Sequence, residues 1–337
     1  MTDMAEIESR RGAVSLLLSS RQFWLAALNL GVIAVIGFLR PDTFLSWINF
    51  KAILTLMSYD VLLAMAMTVV LIVRGLDLSV GSVLALTSVV LAMLLRDGVP
   101  IPIALAISLV SALLCGAVNG FLVVKGRLLP FLVTLGTMTI ARGIATVLTT
   151  GQYVSFPHAT RWFSKFARYE IDIPIGGSAY GVPVTLLVTL ITAISFGFLL
   201  WRWAPMRSFF FIGESPDAAA LSGIRVERVT FTAYLLSAFF VWIAAVLMTS
   251  ANKIGYANYG IGSELRALAA AVIGGASLSG GTGSILGTFL GVLLLALIGN
   301  GFILLNGDPN WQQATVGAVL IIAVAVDAIR RIRGGSE

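Results

Sequence analysis

The chain has 337 residues and a formal net charge of +6, with 58% hydrophobic and only 11% charged residues. This composition, with a mean hydropathy of +0.97, excludes an ordinary soluble domain. Its apolar residues form continuous runs of about 20, which is the length of a membrane-spanning helix and lacks the alternation of barrel strands.

The apolar runs predict an all-α, polytopic transmembrane helical bundle of about ten spans. The run at 264–278 is short and ends in a glycine-rich break, so it is compatible with a full crossing or a half-helix. The ten predicted spans lie near 23–39, 51–74, 77–95, 101–124, 128–149, 181–201, 229–249, 264–278, 283–305 and 312–329.

Basic residues predict the orientation, because Lys and Arg accumulate in cytoplasmic loops. With the N-terminus inside, the cytoplasmic side receives Arg10, Arg11, Arg21, Arg74, Lys125, Arg127, Arg202, Arg207, Arg225, Arg228, Arg330, Arg331 and Arg333. The outer side receives fewer, namely Arg40, Lys51, Arg96, Arg161, Lys165, Arg168, Lys253 and Arg266. Both termini are therefore expected in the cytoplasm, and nucleic acid is not needed to explain the positive charge.

The same topology gives three parts to the chain. Residues 1–20 form a cytoplasmic N-terminal segment with no evident signal peptide, 21–330 a single transmembrane domain, and 331–337 a cytoplasmic tail. The outer loop at 150–180 is rich in aromatic residues, which suit either an interfacial belt or a docking surface. His158 in this loop is read as a solvated side chain.

A polar segment at 212–228 carries the signals of a very short helix. Ser215 is suited to the N-cap, Pro216 to the first helical position, Asp217 to the positive end of the dipole and Gly223 to a left-handed residue after the last turn. Membrane loops rarely need such a helix, so we expect it to contact another molecule.

Three glycine-bearing stretches lie at span junctions: 74–82, 119–127 and 273–284. They are compatible with interrupted helices along a substrate pathway or with close helix packing. Packing is favoured for Gly283, Gly287 and Gly291, which recur every four residues.

Polar residues inside spans are costly and therefore candidates for function. The candidates for a substrate pathway are Asp60, Asn119, Thr134, Thr137 and Asn300. Asp60 could accept hydrogen bonds from a polyol or bond to a neighbouring helix, whereas Arg142 is expected to extend to the outer interface. With one histidine and one cysteine, Cys115, the chain has no evident catalytic group or metal site.

Five blocks in order closely resemble the ribose-type permease subunits of bacterial ABC importers. They are Gly75 to Ser82, Asn119-Gly120, Leu129 to Thr137 followed by Arg142-Gly143, Ala218 to Ile224, and Ala269 to Gly281. One departure is Arg74, where many members are expected to have glycine. Within these blocks the glycines expected to be structural are Gly75, Gly81, Gly274, Gly275, Gly280 and Gly281, together with Gly283, Gly287 and Gly291.

The resemblance implies a transport subunit of the bacterial inner membrane that is not itself an enzyme. Its implied partners are a second permease copy or paralogue, two cytoplasmic ATPase subunits that bind ATP and Mg, and a periplasmic sugar-binding protein. The segment from Glu214 to Ile224 resembles the coupling helix that contacts the ATPase, through Glu214, Pro216, Asp217, Ala218, Ala219, Leu221 and Gly223. The chain has no G-x-x-x-x-G-K-[ST] phosphate loop of its own.

The implied cargo is a sugar or a related polyhydroxylated molecule. A permease for branched-chain amino acids is a near alternative with similar general architecture. An ion-coupled secondary transporter is a more distant one, which would use intramembrane carboxylates such as Asp60.

Overall fold

The computed structural model describes residues 20–156, 161–175, 178–308, 311, 314–318, 321–322 and 325. Within these residues, seven helices are long and apolar enough to cross a membrane. They are α1 (Arg21–Leu39), α3 (Trp47–Ile72), α5 (Ile101–Val124), α6 (Pro130–Thr149), α8 (Val184–Arg202), α11 (Val226–Asn252) and α13 (Ile285–Leu304). The shorter helices are α2 (Pro41–Phe44), α4 (Val80–Arg96), α7 (Arg161–Phe166), α9 (Ala204–Glu214), α10 (Pro216–Leu221) and α12 (Ser263–Ile273).

The bundle is organised around α3, whose second half is almost entirely buried. Helices α8, α11, α12 and α13 pack against it and share one hydrophobic core. The outer helices keep large apolar side chains on the surface, such as Phe38 at 87% and Val147 at 77% exposure. Large apolar side chains that are this exposed are stable against lipid rather than water, so the protein is a multi-pass membrane protein.

Two predicted spans are shorter in the structure. Helix α4 begins only at Val80, because residues 73–79 form a non-helical junction after α3. Helix α12 has 11 residues, or about 16 Å at 1.5 Å per residue, which covers about half of a bilayer's hydrocarbon core. The half-helix alternative for 264–278 therefore describes α12. The predicted span at 312–329 lies mostly outside the described residues, as do 1–19, His158 and 331–337.

The described residues are mostly helical, as the all-α prediction expects, with two short pairs of strands in addition. Strand β1 (Tyr153–Ser155) pairs antiparallel with β4 (Ile254–Tyr256), and β2 (Glu170–Ile175) pairs with β3 (Ser178–Pro183). Both pairs lie at the ends of helices, where a chain leaving a helix still has backbone groups to satisfy. Strands β1 and β4 were not predicted, because three residues are too few to show an alternating pattern.

The two ends of the bundle are easily told apart. We call them the sheet end, where all four strands lie, and the α10 end, where α3, α5 and α8 finish. At the α10 end, Lys125 after α5 forms an ion pair with Glu227 in the first turn of α11. At the sheet end, Lys51 near the start of α3 pairs with Glu170 of β2 at 3.1 Å.

Candidate functional site

A cavity lies between α3, α12, α13 and residues 315–317. Its volume is about 690 Å³, within the range of small-molecule sites. We call it the membrane pocket. Its wall is mostly apolar, with a few polar side chains set into it, namely Asp60, Glu264, Arg266, Asn300 and Thr315.

The charged centre of the membrane pocket is an ion pair between α3 and α12. Arg266 Nη2 lies 3.9 Å from Asp60 Oδ1, and the two side chains are 40% and 20% exposed. Asp60 lies in the middle of α3, about 20 Å along the helix from its first residue. Charges at that depth are costly against lipid, so this face of the bundle fits a wet cavity or a protein contact.

The chain reaches α12 through an irregular segment at 257–262, which enters the bundle from β4. Non-helical backbone at membrane depth needs hydrogen-bond partners from the protein. Arg142 on α6 provides them, since its Nη1 donates to the carbonyls of Ala257 and, at 2.6 Å, Tyr259. This corrects the expectation that Arg142 extends to the outer interface.

Asn300 lines the pocket toward the sheet end and is paired with Asn49. Asn300 Nδ2 donates to Asn49 Oδ1 at 2.7 Å, and Asn49 Nδ2 donates to Asn300 Oδ1 at 3.2 Å. The pair joins α13 to the start of α3. Its amides still have hydrogen-bonding capacity to offer a polar ligand.

Asn119 and Thr137 lie elsewhere, in a buried network beside the 73–79 junction. Thr137 Oγ1 donates to Asn119 Oδ1 at 2.6 Å, and Asn119 Nδ2 donates to Ser79 Oγ at 3.0 Å. Ser79 Oγ donates in turn to Asp77 Oδ1 at 2.5 Å, and Ser237 Oγ donates to Asp77 Oδ2 at 2.7 Å. The network ties α5, α6 and α11 to the start of α4.

Thr134 supports the same junction from α6. Its fully buried hydroxyl lies 2.9 Å from the Pro130 carbonyl and 3.2 Å from that of Leu76. Thr134, Asn119 and Thr137 thus form one buried group, while Asp60 and Asn300 lie together in the membrane pocket. The structure divides the five candidates into these two sets.

The short capped helix predicted in the polar segment is α10. Ser215 is its N-cap and accepts from the Ala218 amide, Pro216 is its first residue, and Gly223 beyond it has φ +81°. Ala219 is turned inward at 4% exposure, whereas Leu221 is 92% exposed. The outward side also carries Asp217, Ala218 and Ala220, and Glu214 is exposed at the end of α9.

The glycine ridge of α13 lies against α12 and α3. A Cβ atom on Gly287 would overlap the carbonyl of Gly274, and one on Gly291 would overlap the carbonyl of Ala270. Gly283 lies against the Ile72 side chain. These glycines bring backbones into direct contact, as small residues do at helix interfaces in membranes.

The remaining glycines of the motifs lie in the irregular segments or pack closely against neighbouring residues. Gly275, Gly280 and Gly281 have φ values of +107°, +84° and +77° in the loop between α12 and α13. Gly81 lies against the backbone of Gly260, and Gly75 lies against the side chains of Val70 and Tyr234.

Sequence reasoning missed Arg266 as a member of the site. The orientation count places it on the outer side of the membrane, at the start of the predicted span 264–278. The available signal was the glycine break at 273–281, since a half-helix ending there has to begin near the middle of the membrane. That placement brings Arg266 to the depth of Asp60.

Interrupted helices, irregular backbone at membrane depth and an adjacent apolar pocket with a few charged and polar side chains define the class of helical membrane transport proteins. Residues 49–324 match the family described as the permease component of the branched-chain amino acid transport system. The chain belongs to this family.

Relatives resemble the chain over nearly its whole length. It is 34% identical to the ribose import permease protein RbsC of Bacillus subtilis over 300 residues, covering 89% of this chain and 91% of that protein. It is 33% identical to the galactose/methyl galactoside import permease protein MglC of Escherichia coli K12 over 317 residues, covering 90% and 92%. No solved structure gives a significant match.

Proposed function

We propose that the chain is the permease subunit of an ABC importer and carries a sugar or a related polyhydroxylated molecule across the bacterial inner membrane. ATP and Mg bind to separate ATPase subunits, a periplasmic binding protein delivers the cargo, and a second permease copy or paralogue completes the pathway. The observation that carries the proposal is the similarity to ribose and galactose import permeases over about 90% of the chain.

The membrane pocket is the proposed part of the pathway. Asp60 supplies hydrogen-bond acceptors, Arg266 supplies donors, and the Asn300 amide supplies both, which together suit a ring of hydroxyl groups. Asn119, Thr134 and Thr137 would reach the cargo only in another arrangement of the helices, because they are buried in this one.

The proposed docking site for the ATPase is the outward side of α10. A leucine that is 92% exposed on a capped helix is costly in water and inexpensive in a protein groove. The α10 end is the proposed cytoplasmic end, since Arg21, Arg74, Lys125, Arg202 and Arg225 gather there.

A branched-chain amino acid is the second candidate cargo. The family description names such systems, and the Asp60–Arg266 pair offers opposite charges to an ammonium and a carboxylate. Asp60 and Arg266 already neutralise each other. A zwitterion would therefore gain less from its charges here than a sugar would gain from hydrogen bonds to its hydroxyl groups.

The test is uptake into proteoliposomes that contain the permease and its ATPase, with the binding protein added outside. ATP is enclosed, and labelled ribose, galactose and leucine are compared. We expect ATP-dependent sugar uptake that persists when ionophores collapse the ion gradients. Uptake of leucine alone would select the second candidate, and uptake that stops with the gradients would identify an ion-coupled transporter.

The docking site is tested with Leu221→Asp. This change should abolish ATP-driven uptake and co-purification with the ATPase, without altering the thermal stability of the permease, because Leu221 makes little contact within the chain. Leu128→Asp is the matched control, since Leu128 is 50% exposed in the α5–α6 loop at the same end. Retained co-purification in Leu221→Asp would contradict this placement.

A further inference from the structure

Three backbone segments meet immediately behind α10. The end of α3, the end of α9 and the α12–α13 loop touch at Ile72, Gly213 and Gly281, where the Gly281 amide donates to the Ile72 carbonyl at 3.0 Å. A Cβ atom on Gly213 would overlap both the Ile72 carbonyl and the Gly281 amide. We call this contact the joint.

Arg74 crosses the joint. Its Nε donates to the Gly213 carbonyl at 2.8 Å and its Nη2 donates to the Glu214 carbonyl at 2.7 Å. Both carbonyls belong to the last turn of α9, where helix carbonyls lack partners within the helix and the dipole is negative. A guanidinium with two diverging N–H groups satisfies both at once.

The backbone conformation of Arg74 favours glycine, so the arginine is present for its side chain. Its φ is +63°, in the left-handed region that glycine adopts without penalty and other residues disfavour. Glycine would therefore adopt this backbone conformation at a lower conformational cost. The side chain also fills the space beside Gly280, where a Cβ atom would overlap the Arg74 stem.

The hydrogen bonds from Arg74 are made immediately before the start of α10. Ser215 is at once the C-cap of α9 and the N-cap of α10, so the carbonyls held by Arg74 directly precede α10. On its other side, Arg74 is the second residue of the 73–79 junction, which contains Asp77 and leads to the buried network. One side chain thus joins the start of α10 to the break between α3 and α4.

We propose that Arg74 is a positioning residue that transmits movement of α10 to the 73–79 junction, and so couples ATP hydrolysis to rearrangement of the helices. The inference rests on the proposed function, in which α10 docks the ATPase. Helices joined in this way move together, because packed elements shift between discrete arrangements rather than deform continuously.

The experiment compares Arg74→Gly, Arg74→Lys and Arg127→Gly in the reconstituted assembly, with uptake and ATP hydrolysis measured in the same vesicles. Arg74→Gly removes both hydrogen bonds and suits the left-handed backbone, so folding and co-purification should be retained. The cargo moved per ATP hydrolysed should fall by about tenfold, a typical coupling between linked sites. Arg74→Lys should give an intermediate ratio, because an ammonium keeps the charge but cannot match the planar fork.

Arg127→Gly is the matched control. Arg127 also has a positive φ, of +51°, and lies at the same end in the α5–α6 loop, away from the joint. It should keep the wild-type ratio. A wild-type ratio in Arg74→Gly would overturn the inference and leave the proposed function standing. Equal loss of assembly in Arg74→Gly and Arg74→Lys would show a purely structural role and overturn it too. A wild-type assembly without ATP-driven uptake would overturn the proposed function and this inference together.

Discussion

Helices α12 and α13 meet very differently at their two ends. Toward the α10 end, Gly287 and Gly291 bring the α13 backbone against the α12 carbonyls of Gly274 and Ala270. Toward the sheet end, the same α13 exposes Leu295, Ala296 and Asn300 to a cavity of about 690 Å³. One helix pair is therefore closed by backbone contact at one end and separated by a pocket at the other.

A rigid contact and a cavity of variable size can therefore coexist in one helix pair. Backbone contacts leave no side chain to change its rotamer, so the closed end keeps its geometry. The open end is bridged by side chains, which can exchange partners. Tilting about the glycine contacts would change the size of the membrane pocket without breaking the bundle.

The largest effect on stability is expected at the closed end. Gly287→Ala places a methyl group against the Gly274 carbonyl and should lower the free energy of unfolding by about 3 kcal/mol or prevent folding, as overpacking does. The measurement is thermal unfolding in detergent. Gly31→Ala is the control, because nothing lies within 4 Å of a Cβ on Gly31 in α1. Equal melting shifts in both variants would refute the closed contact.

At the open end, a bulky side chain should block function more than folding. Ala296→Trp projects an indole into the membrane pocket, and ATP-driven uptake should fall by about tenfold or more, equivalent to about 1.4 kcal/mol. Thermal stability should change less than in Gly287→Ala, because the cavity has room for the ring. Ile194→Trp, on the outward face of α8 where Ile194 is 69% exposed, should leave uptake unchanged. Full uptake by Ala296→Trp would place the pathway elsewhere.

Local signals in the sequence predict those elements whose formation depends only on residues close together in the chain. The seven long helices follow from uninterrupted apolar runs, and α10 follows from Ser215, Pro216 and Gly223, whose preferences act within one turn. The four-residue glycine spacing on α13 predicted close packing for the same reason, since one face of a helix can be read from its own sequence.

The contacts that could not be predicted join residues that are far apart in the chain. The carbonyls that bind Arg142 belong to Ala257 and Tyr259, and Asp60 pairs with Arg266 only because α12 starts at mid-membrane depth. A polar residue in a span looks the same in sequence whether it lines a pocket, as Asn300 does, or closes a buried network, as Asn119 does. Only the packing of other helices distinguishes the two.

The smallest effect is expected for Asn300, because the link that it makes across the open end is a side-chain pair. Asn300→Ala removes both hydrogen bonds to Asn49 and should cost about 1 kcal/mol, since such bonds between membrane helices average about 0.6 kcal/mol each. A double-mutant cycle with Asn49→Ala measures the pair itself, and its coupling should account for most of the loss. If Asn300 also binds cargo, Asn300→Ala lowers uptake more than Asn49→Ala does, although the two variants lose the same pair. A coupling of about 3 kcal/mol, comparable with Gly287→Ala, would instead mean that the open end is as rigid as the closed one.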